Sequence, residues 1–195
     1  MFYRFARLIC RIVLVLLRRW EVLGAENLPA AGGVVLVANH VSYWDPVVVG
    51  CAFHRQVHFM AKAELFKIPL LGAVIRALGA FPVRRDKSDR NAVRTAVRLL
   101  KEGKVVGVFP EGTRSRTGEL MRPHLGAAML AFKAGAPMLP VAVAGTKGIL
   151  GKVKVRVGRP ILTTECGRAS KADLENASDR VMARIAVLLA EQTLQ

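Results

Sequence analysis

His40 and Asp45 stand five positions apart in Asn39-His40-Val41-Ser42-Tyr43-Trp44-Asp45-Pro46. A carboxylate that accepts a hydrogen bond from one imidazole nitrogen leaves the other nitrogen as an acceptor. His40 would then be an oriented general base. The alternative is structural, with Asp45 as a helix cap and His40 as a polar strand-end residue. The flanking sequence says what would position the pair. Val34 to Ala38 is a continuous apolar run that reads as a buried strand. Asp45-Pro46 reads as a helix start, with Asp at the N-cap and Pro as the first helical residue. Ligand sites in open α/β sheets form just beyond such strand ends.

A second strand end runs into Phe109-Pro110-Glu111-Gly112-Thr113-Arg114-Ser115. Gly112 lets a backbone approach a ligand closely. Thr113 and Ser115 offer hydroxyls, and Arg114 offers a planar fork suited to phosphate. Glu111 would orient Arg114 or accept a substrate hydroxyl. The competing reading is a polar β–α turn. Arg84-Arg85 ends a third strand and, with Arg114, could clamp one phosphate if these strand ends lie side by side. Otherwise the two are a solvated pair beside Asp86 and Asp89. Lys62 ends another strand, where it can meet an oxyanion or a phosphate, or snorkel as a surface lysine. His54, His58 and His124 lack partners at metal-ligand spacing, so no metal site is expected. Ser42 lies near His40 but in no Gly-x-Ser-x-Gly elbow, which favours a turn-stabilising role over a nucleophile.

The chain has 195 residues, 52% of them hydrophobic, enough for one domain with a sizeable core. Thirty Lys+Arg against 14 Asp+Glu give a net charge of +16, which points to anionic partners. Aromatics are only 6%, and no nucleic-acid-binding module is present, so no nucleic-acid partner is expected. Cys10, Cys51 and Cys166 are odd in number and widely spaced, which fits a reducing compartment.

Residues 1–19 carry Arg4, Arg7, Arg11, Arg18 and Arg19 and no acid. Four of these arginines share a helical face, and Phe2, Phe5, Ile9, Val13, Leu16 and Leu17 take the other. The apolar run Ile12 to Leu17 is far short of the roughly 20 residues that span a bilayer. No small-residue cleavage site follows it, which argues against a secretory signal. The pattern favours an interfacial helix, with its arginines toward anionic head groups. A helix packed on its own domain, or a hybrid of the two, is the alternative.

Further strands are expected at Val57–Ala61, Ala80–Val83, Val105–Phe109 and Met138–Ala144. An edge strand is expected at Lys152–Val157, where Val alternates with Lys and Arg. Helices are expected from Pro46 to Phe53, from Pro69 to Leu78, from Ser88 (as cap) to Glu102, from Leu125 to Ala134 and from Lys171 to Leu194. This alternation predicts an α/β fold: one domain over residues 20–195, with a largely parallel sheet flanked by helices, behind the amphipathic helix of residues 1–19.

Asn39-His40-x-Ser42-x-x-Asp45, Gly79 to Arg85, Phe109 to Ser115 and Leu139-Pro140-Val141 resemble the four ordered blocks of the glycerolipid acyltransferases, closest to the 1-acyl-glycerol-3-phosphate acyltransferases. The resemblance covers about residues 20–160, with the first and third blocks some 70 residues apart. Within the second block Arg85 matches the family arginine better than Arg84 does. The resemblance implies that His40, held by Asp45, takes a proton from a lysophospholipid hydroxyl. The hydroxyl oxygen then attacks the thioester of acyl-coenzyme A or acyl carrier protein, with no acyl-enzyme and no other cofactor. It implies that Arg85, Glu111, Gly112, Thr113 and Arg114 hold the glycerol phosphate, that Arg84 assists, and that Lys62 stabilises the oxyanion. It also implies a peripheral enzyme on the cytoplasmic face of the cell membrane. Within the enzyme class the runner-up is acylation of another acceptor, glycerol-3-phosphate or another lysolipid, and the competing class is a basic, non-catalytic membrane-binding module.

Overall fold

The computed structural model describes residues 2–84, 89–148, 150–163 and 169–193. Seven strands form one sheet: β1 (Glu21–Leu23), β2 (Val34–Ala38), β3 (Val57–Lys62), β4 (Phe81–Val83), β5 (Val105–Val108), β6 (Met138–Ala144) and β7 (Lys154–Val157). Their order across the sheet is β1-β7-β6-β2-β5-β3-β4. Every pairing is parallel except β6 with β7. Among the described residues six α-helices flank it: α1 (Phe2–Arg18), α2 (Asp45–Ala52), α3 (Leu71–Ala77), α4 (Arg90–Lys101), α5 (Gly126–Ala134) and α6 (Lys171–Thr193).

β2 is the central strand, and its five residues have no exposed surface. This is why it reads as an unbroken apolar run rather than an alternation. Val35 and Val37 face the cluster formed with α4, α5 and α6. Val34, Leu36 and Ala38 face the cluster that includes α2 and Leu14 of α1. Asn39 prolongs the pairing of β2 with β6. Its side chain donates to the Val143 carbonyl at 3.0 Å and accepts from the Val143 N–H at 2.8 Å, as a peptide group would. That pairing fixes the register of the residue before His40.

The sheet corrects several expectations. The alternating strand, β7, is not an edge: β1 covers its outer side, in register from Glu21 with Lys154 to Leu23 with Arg156. The alternation is real, with Val155 and Val157 buried and Lys154 and Arg156 half-exposed. It reports a face turned to the end of α6, where Lys154 donates to the Gln192 carbonyl and Arg156 pairs with Glu191, rather than a free edge. β1 itself has three residues, too few to show a period. Asp45 is the first residue of α2, and Trp44 takes the cap position. The cap of α4 is Asp89, which accepts from the Asn91 and Ala92 N–H groups, both at 3.1 Å. Ser88, expected there, lies outside the described residues.

The largest correction concerns α1. Its arginine face turns toward the domain, not away from it. The Arg7 guanidinium donates to the Phe53 and His54 carbonyls at 2.7 and 2.8 Å. Arg18 is buried and donates to the carbonyls of Gly145, Gly148 and Gly151. Arg11 stacks on Trp20. The apolar face is left open, with Phe5 at 63% exposure and Leu16 at 74%. Among the described residues, no helix is long and apolar enough to cross a membrane.

Replacing Asn39 with Ala strands the Val143 N–H and carbonyl between β2 and β6. Each buried unpaired group costs about 1–3 kcal/mol, so a total loss of about 2–6 kcal/mol is expected in urea unfolding. A loss below 1 kcal/mol would mean that this side-chain pairing contributes little.

Candidate active site

The site lies at the carboxyl ends of β2, β5, β3 and β4, four adjacent parallel strands. The chain leaves β2 through Asn39 and turns at once into α2. His40 Nδ1–H donates to Asp45 Oδ2 at 2.8 Å. A carboxylate can only accept, so in the neutral imidazole the proton sits on Nδ1 and Nε2 is the acceptor. The same oxygen accepts the N–H groups of Val41 and Ser42 at 2.6 and 2.7 Å. Thr146, just beyond β6, donates its hydroxyl to Asp45 Oδ1 at 2.5 Å. Asp45 has no exposed surface, and its place in the first turn of α2 adds the favourable end of the helix dipole.

The imidazole is held on its other sides as well. It stacks on Phe109 at 4.1 Å between ring centroids, and Phe109 stacks in turn on Phe59. The backbone of His40 is gripped by the β5 turn: its N–H donates to Glu111 Oε1 at 2.7 Å, and its carbonyl accepts the Ser115 N–H at 2.8 Å. Glu111 Oε2 takes the Met121 N–H at 3.0 Å. Both Glu111 oxygens therefore serve the protein's own backbone. These contacts hold the His40 turn to the β5 turn, a part not expected from the sequence, and no contact from Glu111 to Arg114 is among them. Burial pushes its carboxyl above the usual range, against the pull of both N–H donors.

Arg114 lies over the Tyr43 ring at 3.5 Å from its centroid, so the two motifs meet through a cation–π contact. Thr113 is exposed beside it. Gly112 has φ of +70°, and a Cβ there would come within 2.8 Å of the His124 ring. The turn thus needs glycine both for its conformation and for room. Lys62 and Arg84 sit farther along the rim. Lys62 is 53% exposed and 3.8 Å from Glu64. Arg84 is 65% exposed and 3.7 Å from Asp89. At about 4.8 Å per strand, β3 begins about 10 Å from β2. β3 also separates β5 from β4, so the Arg84 and Arg114 strand ends are not side by side. Arg85 lies outside the described residues.

Other groups drop out as reactive centres. The Ser42 hydroxyl accepts the Trp44 N–H at 3.2 Å, as a turn residue does. The Cys51 thiol is pushed up to about 12, chiefly by burial, which leaves it protonated at neutral pH. No group of three metal-ligating side chains occurs among the described residues. Thr146 was not foreseen. It follows a strand as one hydroxyl among several, and nothing local marks it as a partner of Asp45.

A family model described as acyltransferase matches residues 19–144. The chain belongs to that family. The Bacillus subtilis (strain 168) 1-acyl-sn-glycerol-3-phosphate acyltransferase is 34% identical over 165 residues, 82% of each chain. The protein of that name from Borreliella burgdorferi is 33% identical over 134 residues, 67% of this chain and 53% of its own length. Among solved structures, the 1-acyl-sn-glycerophosphate acyltransferase PlsC of Thermotoga maritima superposes with a TM-score of 0.78 at 32% identity. The match covers 96% of this acyltransferase and 80% of PlsC. The α/β fold inferred from the alternating pattern is therefore the fold of the family.

Thr146→Val keeps the shape but removes the hydroxyl that holds Asp45 Oδ1. The expected result is a kcat lowered about tenfold with KM changed less than about twofold, because alignment is lost rather than binding. Unchanged kcat would show that the three remaining donors are enough to hold Asp45.

Proposed function

We propose that this acyltransferase moves a fatty acyl group from an acyl thioester to the free hydroxyl of 1-acyl-glycerol-3-phosphate, giving phosphatidic acid. The observation that carries the mechanism is the His40–Asp45 bond, which leaves Nε2 of a fixed imidazole as the acceptor. The activity for which the relatives are named supports this acceptor.

His40 Nε2 takes the proton of the attacking hydroxyl while Asp45 holds the imidazolium that forms. The hydroxyl oxygen bonds to the thioester carbonyl carbon. The resulting tetrahedral intermediate collapses, the carbon–sulfur bond breaks, and the leaving thiolate takes the proton from Nε2. Acyl-coenzyme A and acyl carrier protein both supply such a thioester. No acyl-enzyme forms on this route, consistent with a Ser42 hydroxyl already engaged in its turn. Arg114, Thr113 and the Gly112 backbone receive the acceptor phosphate, with Arg84 and Arg85 completing the cationic rim. Lys62 faces the developing oxyanion after a change of rotamer, given its exposure and its loose contact with Glu64. Glu111 acts by positioning His40.

The acceptor and product are lipids, and α1 gives the enzyme its place among them. Its open face, Phe5, Leu8, Ile12 and Leu16, lies in the acyl boundary as an interfacial helix. This makes the protein peripheral, on the cytoplasmic face of the cell membrane. The support is the unpartnered apolar stripe, far longer than isolated surface hydrophobics require.

His40→Ala is expected to lower acyl transfer by at least about 10³-fold, in the range of a lost general base, with the melting temperature nearly kept. The assay offers a panel of lysolipids and glycerol-3-phosphate with acyl thioesters of graded length. Full activity in this variant would end the mechanism, and preference for another acceptor would replace the substrate. Leu8→Ser with Leu16→Ser is expected to weaken vesicle sedimentation without unfolding the domain. Unaltered sedimentation would remove α1 from the membrane.

A further inference from the structure

A second cationic cavity lies at the opposite end of the parallel strands from His40. It has a volume of about 390 Å³ and is lined by Tyr3, Arg4 and Arg7 of α1, by His54, Arg55, Gln56 and His58 around the start of β3, and by Gly103 to Val105 at the start of β5. Four of its side chains are Arg or Lys and two are His, and none is a carboxylate. The four residues of β5, about 13 Å of extended chain, separate this mouth from the turn that carries Glu111.

The charges here are unbalanced. Arg4 and Lys104 form no hydrogen bond or ion pair through their side chains among the described residues. Arg7 is anchored by one terminal nitrogen to two carbonyls, which leaves its other N–H donors for a ligand. Arg55 gives its guanidinium to the carbonyls of Pro29, Gly32 and Gly103, so it shapes the wall with its charge uncancelled. Glu102, the carboxylate that reaches His58, is itself paired with Arg98 at 2.8 Å, and away from the cavity Lys152 sits on Glu21 at 2.7 Å.

Depth supplies the rest. An interfacial helix sinks its apolar face about 5–10 Å into the boundary, and a helix with its side chains is about 10 Å across. The side of α1 opposite its apolar stripe then lies at the level of lipid head groups. Tyr3, Arg4 and Arg7 carry the cavity to that level.

We propose that this cavity binds the phosphate of an anionic lipid head group, as a site separate from the one at His40. Arginine forks and an unpaired lysine suit a phosphate with net negative charge, and the exposed Phe2 and Phe5 beside Tyr3 and Arg4 suit the acyl chains of a lipid. The lipid source rests on the placement of α1 proposed above, whereas the anion preference does not.

The test titrates the full chain with dissolved dihexanoyl phosphatidic acid and follows the imidazole resonances of His54 and His58. Because the lipid is dissolved, the outcome is independent of vesicle attachment, and because the reporters line the cavity it is independent of acyl transfer. A saturable shift of both resonances is expected. Dihexanoyl phosphatidylcholine or inorganic phosphate at equal concentration is expected to shift them little. Arg4→Ser with Lys104→Ser should weaken the apparent affinity about tenfold or more, as expected for two lost charged donors. Arg94→Ser with Lys133→Ser, the same charge change on α4 and α5, should leave it within about twofold. No shift, or equal losses in the two double variants, would overturn the site. An equal response to inorganic phosphate would overturn the lipid source, and an equal response to phosphatidylcholine would overturn the anion preference.

Discussion

A carboxylate with no exposed surface sits where β2 gives way to α2, and it needs every donor around it. Left unpaired, a buried charge of this kind costs several kcal/mol. Asp45 meets that demand with the His40 ring, two N–H groups of its own turn and the Thr146 hydroxyl. Each donor is thereby fixed in turn. The tight turn from residue 40 to residue 45 is drawn around the carboxylate, the chain beyond β6 is brought in to reach it, and the imidazole is held in one tautomer. The second buried carboxylate, Glu111, works on the same residue from the opposite side through the His40 N–H. Two acids, neither open to solvent, thus set the position of one base.

The rim divides into a fixed part and an adaptable part. The inner strands β2 and β5 end in buried groups: Asn39, Asp45, Glu111 and Ser115. The outer strands β3 and β4 end in Lys62 and Arg84, each more than half exposed and only loosely paired. Proton transfer demands fixed geometry within a hydrogen-bond length. Holding a charged head group tolerates a side chain that swings. The sheet order puts the first requirement at its centre and the second toward its edge.

Much of this was legible in the chain itself. β2 and β6 begin and end where their apolar runs do, because strands buried on both faces leave no polar residue in the run. The His40–Asp45 pair was legible because the strand and the helix start on either side leave room only for a turn. Other features leave no such trace. A stripe of arginines shows that α1 has two faces but not which one meets the domain. Arg7 and Arg18 turn inward because backbone carbonyls satisfy them, and carbonyls carry no signature in the sequence. β1 is too short to show a period, so β7 looked like an edge. Glu111 resembled a ligand-binding acid because a residue bonded to backbone N–H groups is indistinguishable in sequence from one that faces a substrate.

Arg18 binds α1 to more than the sheet. Its guanidinium gathers the carbonyls of Gly145, Gly148 and Gly151, and Gly145 immediately precedes the Thr146 that steadies Asp45. The helix that bears the open apolar face is therefore bolted to the loop that aligns the imidazole. A pull that peels α1 from the domain would slacken that loop. Anchorage and alignment share one fastening.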